Sequence, residues 1–395
     1  MISVEEATQL VNSSHWNPVV ESVLLDQCNG RVLAKDVLAD RDFPPFDRVM
    51  MDGIAIRKSD FDEGIRDFNI KGLLAAGSPT VELETGPNCL EIMTGAVMAQ
   101  NANVVIRYED VELNDGVAKV IVDEVKANQN IHARGTDRKE NNLIIPANTL
   151  LGAPEIGALA TVGLASVSVY SKPRILIIST GDELVEVDES PLPYQIRKSN
   201  VHLLESMCRN LGLEPKRLHL DDQLDEIINS LRHEFCEADI VLLSGGVSKG
   251  KLDFLPEALE KLGVKKLFHK VKQRPGKPFW FGRKGTMTVF AFPGNPASTF
   301  MCATRYFIPW IRTSMKMATV KHYAILEEAF TFKPELQYFL QCKMSSRSDG
   351  STYALPMPGK GSGDLANLVD SDCFLELPAE RSKFEIGEVF PLWKF

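Results

Sequence analysis

Carboxylates at Asp52, Asp137, Asp182, Glu183, Asp222 and Asp253 all stand in or beside turn-forming residues. Hard oxygen donors so placed suit a hydrated Mg2+ that bridges protein to phosphate, although each one taken singly is more often a cap or a surface charge. Four cations, Lys270, Lys272, Arg274 and Lys277, crowd the stretch HKVKQRPGKPFWFG, where Pro275-Gly276 is predicted to turn the chain and bring Lys277 back toward its neighbours. Such a cluster needs anions nearby, or else forms a solvated face. Two further stretches offer backbone amides. Gly245 and Gly246, with Ser248 in the same loop, lack side chains that would hold an anion off, though a tight strand-to-helix turn needs the same glycines. Asn295 before Pro296 reads as a helix N-cap and first-turn position, whose amide-rich start is a second place for an anion or simply the start of a helix.

Other chemistries lack their residues. The seven histidines show no metal-ligand spacing, and His219 and His269 read as strand residues. Neither G-x-S-x-G nor a Cys/His signature occurs in a convincing context, so covalent hydrolysis ranks low. A P-loop and a complete G-x-G-x-x-G fingerprint are absent too, which disfavours ordinary nucleoside-triphosphate and dinucleotide sites.

The elements that must position these loops follow from the hydrophobic rhythm. From 174 to about 315, apolar runs (RILIIST, DIVLLSGG, TVFAFPG) alternate with helices starting near Asn200, Leu224 and Phe254, the pattern of a parallel, doubly wound sheet. Ligands of such sheets gather beyond the carboxyl ends of the strands, where Gly181-Asp182-Glu183, Gly245-Gly246 and Pro293 to Pro296 all fall. Residues 46–137 alternate short β-rich runs with turns. Past about 320, short strands divided by Gly and Pro predict a small barrel or sandwich. The start of the chain reads as a helix, with Ser3 and Glu6 at capping-box spacing.

Composition narrows the setting. The 395 residues, 44% of them apolar, are enough for several cores. A formal charge of −9 argues against non-specific nucleic-acid binding, so an anionic ligand must meet local basic groups. No signal peptide or membrane-length apolar run is visible, and seven scattered cysteines without C-x-x-C fit no disulfide framework or zinc site. A reducing cytoplasm is the expected home.

Taken in order, NGRVLAKDV, DFPPFDRVMMDGIAI, MTGAV, RGTDRKENN, STGDELV, QIRKSN, SGGVSKGKLD, RPGKPFWFG, FPGNPAS and GKGSGDL resemble the molybdopterin molybdenumtransferases, including the enzymatic domain of gephyrin, over nearly the whole chain. The resemblance implies an α/β and β multidomain chain: a segment-swapped elongated domain (1–45 with 138–172), a small β domain (46–137), a three-layer molybdopterin-binding α/β domain (173–316) and a C-terminal β barrel (317–395). It implies a homodimer with sites shared between subunits, Mg2+, the substrates adenylyl-molybdopterin and molybdate, the products AMP and molybdenum cofactor, and contact with other proteins of cofactor biosynthesis. Its catalytic positions fall on Asp52, Asp137, Glu183, Asp222 and Asp253, the last three as metal ligands. Substrate-binding positions fall on Thr94, Lys270, Arg274, Pro293, Pro296, Arg347 and Ser362, to which the loops and the basic cluster described above add Gly245, Gly246, Ser248, Lys277 and Asn295 as candidates. The chain departs from the family pattern at Val49 (for Ser), Asn101 and Asn103 (for Gly and Asp), Lys251 (for an acid) and Arg274 (for Lys). Two other functions compete. Adenylylation of molybdopterin expects a T-G-G-T-G loop where this chain reads SGGVSKG, and a non-catalytic dimeric scaffold would not need the retained carboxylates.

Overall fold

The computed structural model describes residues 1–221, 223–246 and 254–395. Asp222, Ser248, Lys251 and Asp253 lie outside the described residues. The chain forms two compact units, one of residues 1–34, 148–152 and 167–395, the other of 35–147 and 153–166.

The larger unit is built on a six-stranded sheet ordered Lys216–Leu220, Ile175–Thr180, Ile240–Ser244, Met287–Phe292, Trp280–Lys284, Lys265–His269. The first four strands are parallel, as the alternating rhythm predicts; the fifth runs against them, and the sixth, antiparallel to the fifth, runs with the first four. The reason is local. Only Gly285 and Thr286 separate Lys284 from Met287, and so short a link can close a hairpin but not a crossover. His219 and His269 lie in strands as expected. Helices Asn200–Arg209, Leu224–Glu234 and Leu255–Lys261 start within a residue of their predicted positions and cover the sheet.

One face of the sheet packs the aromatic cluster Phe279, Phe281, Phe290, Phe292, Tyr306 and Trp310, together with the helix Val4–Asn12. That helix buries Val4, Ala7 and Val11, and its capping box is formed: Ser3 Oγ accepts from Glu6 N at 3.0 Å and Ser3 N donates to Glu6 Oε2 at 2.7 Å. Each fully buried aromatic contributes about 1.5–3 kcal/mol of transfer free energy, so this face anchors the unit. The helical run from Pro296 to Ser314 widens into a π segment at Ala303–Phe307, just before Pro309. Proline cannot donate a helical hydrogen bond, and a π segment is a common way to absorb the break. It sets Tyr306 toward a buried polar partner, Gln273.

In the same unit, strands Gln337–Ser346, Thr352–Pro356, His322–Leu326, Val389–Lys394 and Cys373–Leu377 pair in that order, and the last returns to the first, closing a five-stranded barrel. Closure removes the open edges of the sheet. Leu326, Leu340, Leu375 and Phe390 fill the interior. The short strand Gln273–Arg274 joins Gln337–Ser346 in parallel and so ties the basic loop to the barrel.

The smaller unit carries a six-stranded sheet ordered Val104–Arg107, Gly53–Ile56, Asn88–Ile92, Asp67–Leu74, Val117–Val120, Val111–Asn114. Gly53 is required here: a Cβ would sit 1.9 Å from the Ile106 carbonyl oxygen. Segments far apart in sequence pair at its margins, Val37–Leu38 with Leu143–Ile145 and Arg48–Val49 with Ile131–His132. No helix among the described residues is long and apolar enough to cross a membrane.

Candidate active site

Three loops leave the carboxyl ends of the parallel strands together. After Ile175–Thr180 the chain turns at Gly181 and presents the exposed carboxylate of Glu183. After Ile240–Ser244, Gly245 and Gly246 both take positive φ, +94° and +64°. A Cβ on Gly246 would come within 2.6 Å of Leu255 and 2.9 Å of Thr180 Oγ1, so the glycine pair is demanded by packing as well as by the turn. After Met287–Phe292, Pro293 to Asn295 lead into the helix that Pro296 opens.

Asn200, the first residue of its helix, ties two of these loops together. Its Nδ2 donates to Ser244 Oγ at 2.8 Å and to the Gly294 carbonyl at 2.7 Å. The carbonyl partner fixes the orientation of the amide, and Oδ1 is left buried without a partner among the described residues, as is Thr180 Oγ1. Buried polar atoms are seldom left unpaired, so two at one strand-end crevice mark a place where a bound group completes the bonding. The sequence marks Asn200 as a helix start at the end of QIRKSN but not as a site residue. Asn at a helix start is ordinary, and the available signal was its place on the helix that follows the first strand-end loop.

Asn295 sits in N-cap geometry, with φ −69° and ψ 126°, yet its side chain does not cap the helix. Its Nδ2 donates instead to Ser362 Oγ at 2.7 Å, and the Ala297 amide donates to the Ser362 carbonyl at 3.1 Å. The GKGSGDL loop is thereby fixed to the helix start.

The basic loop turns as expected: Lys270 N donates to Phe279 O and Val271 N to Lys277 O, both at 3.0 Å. Gln273, fully buried, holds it from inside. Its Nε2 donates to Gly276 O at 2.9 Å and its Oε1 accepts from the buried Tyr306 hydroxyl. Burial also drives the Tyr306 phenol well above its ordinary pKa, so it remains a donor. Gly276, at φ +83°, leaves no room for a Cβ, which would fall 2.4 Å from Cys302 Sγ.

Arg274, Lys277, Pro293, Asn295 and Ser362 converge on one cleft of about 280 Å³, with Tyr338 and Gln341 of the barrel completing its wall. Lys270 does not line this cleft; its backbone carbonyl accepts from Ile2 N at 3.1 Å. Arg347 is also elsewhere, stacked 3.5 Å over the Tyr353 ring and 3.6 Å from Glu327, which gives it a structural role in the barrel.

In the smaller unit, Asp52 Oδ1 accepts from Thr94 N at 2.6 Å and Thr94 Oγ1 at 2.7 Å. The backbone bond from Thr94 is the larger cause, and its hydroxyl the next, of an Asp52 pKa below the ordinary carboxylate value. Asp137 meets His132 Nε2 at 2.9 Å. The departures find local reasons here. Val49 is buried in an apolar cluster, Asn101 takes φ +65° where the family has glycine, and Asn103 Oδ1 accepts from Lys58 N at 2.8 Å at a helix start. Among the described residues no group of three His, Cys, Asp or Glu side chains stands close enough to hold a metal ion, and two of the three proposed ligands, Asp222 and Asp253, lie outside them.

Comparison with known proteins covers almost the full length. Residues 2–163 match the MoeA N-terminal region (domain I and II), 176–313 a probable molybdopterin binding domain, and 323–395 the MoeA C-terminal region (domain IV). The chain is 39% identical to a molybdopterin molybdenumtransferase of Synechocystis sp., with 100% of both chains covered. It is 30% identical to that of Bacillus subtilis, covering 98% of this chain and 92% of the relative. Two solved structures of the molybdopterin biosynthesis MoeA protein from Pyrococcus horikoshii superpose with TM-scores of 0.85 and 0.82, at 27% and 28% identity. Both cover 100% of this chain, and 99% and 100% of theirs.

Proposed function

This chain belongs to the molybdopterin molybdenumtransferase family, and from that premise we propose that its strand-end cleft binds adenylyl-molybdopterin, where molybdate delivers molybdenum and AMP departs. The observation that carries the reading is the convergence of Arg274, Lys277, Asn295 and Ser362 on one cleft beside the carboxyl ends of the parallel strands. In a chain of net charge −9, the two cations supply the local positive field that a phosphate-bearing substrate needs. Asn200 Oδ1, an acceptor without a partner, suits an N–H of a heterocycle, and Thr180 Oγ1 can donate or accept.

Mg2+ fits the donor chemistry, since Glu183 offers an exposed hard oxygen at the first strand end and Asp222 and Asp253 are carboxylates of the same kind. These three residues would hold the ion. When bound, it would neutralise charge on the phosphate oxygens. The chain's own residues do the rest: Arg274 and Lys277 hold the anion, and Gln273 keeps their loop in place. Asp52, Asp137 and Thr94 act in the same reaction, contributed by the second subunit of a cytoplasmic homodimer.

AMP release from adenylyl-molybdopterin by purified protein, measured with and without molybdate and Mg2+, is the test. Release that needs both supports this reading. Release independent of molybdate, or none from folded protein, rejects it, and adenylylation of molybdopterin from a nucleoside triphosphate would point to the preceding step.

A further inference from the structure

A second cavity, of about 390 Å³, opens at the opposite end of the main sheet. Lys172 and Arg174 precede the strand Ile175–Thr180, Asp239 precedes Ile240–Ser244, and Thr286 precedes Met287–Phe292; all four line the cavity. It therefore gathers at the amino ends of three parallel strands, about 17 Å along a strand from the loops of the candidate active site.

Its walls are firmly held. Trp310 Nε1 donates to Ser14 O at 3.1 Å, which seats the segment carrying His15 and Trp16 on the core. Ser171 N donates to Val19 O at 2.8 Å, and Val19 N donates to Ser171 Oγ at 3.1 Å. Asp239 is the one carboxylate among the lining residues, and it is spent on Arg174, accepting from its backbone N at 2.9 Å and its guanidinium at 3.0 and 3.2 Å.

Arg283 is different. Its Nε is buried without a hydrogen-bond partner, and no ion pair or hydrogen bond reaches its guanidinium among the described residues. A guanidinium carries five donors and cannot shed its charge, so leaving one half-buried and unpaired is costly unless something arrives to pair with it. Lys172 adds to the excess. Burial first, and the Arg31 charge second, hold its ammonium below the ordinary lysine pKa, with Glu214 and Glu21 opposing. Lys172 makes no ion pair within 4 Å among the described residues. In an acidic protein this gathers Lys172, Arg174 and Arg283 around a cavity whose one lining carboxylate is spent on Arg174, with Glu214 and Glu21 acting on Lys172 from outside the lining.

We propose that this cavity is a second ligand site, selective for a small phosphate dianion that pairs with Arg283 and Lys172 against the Trp16 ring. The planar guanidinium matches phosphate in two-point geometry, and the half-open, partly apolar setting strengthens the pairing relative to bulk water.

The full chain is titrated with inorganic phosphate and, separately, with AMP, following tryptophan fluorescence and heat. Saturable phosphate binding is expected, with a fluorescence change that disappears in Trp16→Phe while the heat remains. Arg283→Met should weaken binding at least tenfold and Arg283→Lys less, with AMP release from adenylyl-molybdopterin unchanged in both. Lys277→Met should leave the Trp16-reported binding intact, which separates this cavity from the cleft of the proposed function. Tighter binding of AMP than of phosphate, lost in Arg283→Met, identifies a phosphate monoester as the ligand, and equal binding identifies the free ion. No saturable binding to folded wild-type protein, indifference to both Arg283 variants, or equal loss in Lys277→Met would overturn the proposal. If Arg283→Met does not fold, Arg283→Lys and Trp16→Phe still decide it.

Discussion

Single residues at the candidate site act through bonds that can be tested one at a time. Lys277 lies at the cleft with no ion pair among the described residues, so Lys277→Met should raise KM for adenylyl-molybdopterin roughly tenfold at low salt. The deficit should shrink as salt rises, because screening weakens what the charge contributes. Equal KM values at low salt would return Lys277 to the solvated surface. Asn200→Asp removes the Nδ2 donor and sets a carboxylate against the Gly294 carbonyl and Ser244; kcat/KM should fall at least tenfold, and the change is read by steady-state kinetics beside a melting curve. Asp52 is held ionised by Thr94, so its carboxyl titrates below the ordinary carboxylate range. A lowered folded-state pKa favours the native protein above the unfolded value, an effect lost as pH falls through the folded one. In Thr94→Val the hydroxyl bond is gone while the stronger backbone bond stays. The Asp52 midpoint, followed by NMR, should therefore move up toward the ordinary value without reaching it, and no movement would show that the hydroxyl contributes nothing.

Elements explain why some of this was legible beforehand and some was not. The helices starting near Asn200, Leu224 and Phe254 announce themselves because an amphipathic pattern follows a buried strand, and the helix Val4–Asn12 because Ser3 and Glu6 form a local signal. The parallel strands were readable from the same alternation, whereas the short C-terminal strands divided by Gly and Pro left a barrel and a sandwich equally open. The antiparallel pair at the sheet edge was not, since apolar strands look alike in sequence whichever way they run, and only the shortness of Gly285-Thr286 betrays the hairpin. At the site, Arg274, Lys277, Pro293 and Asn295 could be found because they are near one another in the chain or at strand ends. Gln273 could not: it is a polar residue between two cations, and its role depends on Tyr306, carried by a π segment more than thirty residues away. Replacing it with Met leaves the Tyr306 hydroxyl buried and unpaired, at about 1–3 kcal/mol, and the Gly276 carbonyl with only the weak Cys302 thiol donor. Gln273→Met should therefore lower the unfolding midpoint and raise KM more than it lowers kcat, since the loop holding Arg274 and Lys277 loosens. A variant with wild-type KM would separate the buried network from substrate binding.

The whole molecule poses the question of assembly, and mixing variants answers it. If Asp52 of one subunit serves the same site as Glu183 of another, Asp52→Ala and Glu183→Ala are each inactive alone. With random exchange half the dimers are mixed and each retains one intact site, so about a quarter of wild-type activity should return. Verified heterodimers that stay inactive would locate every site within one chain. The division of the chain has a separate consequence in time. The smaller unit is drawn mainly from one continuous stretch, 35–147, whereas the helix Val4–Asn12 belongs to a core completed by Tyr306 and Trp310. A ribosome adding about 5–20 residues per second makes those aromatics some 15–60 s after the helix emerges. During that interval the apolar face of Val4, Ala7 and Val11 has no core to join, while the sheet around Gly53 already has all its strands. This segment, made long before the core it joins, is thus among the last to dock, and its apolar residues stay exposed on the nascent chain until the aromatics near 310 are made.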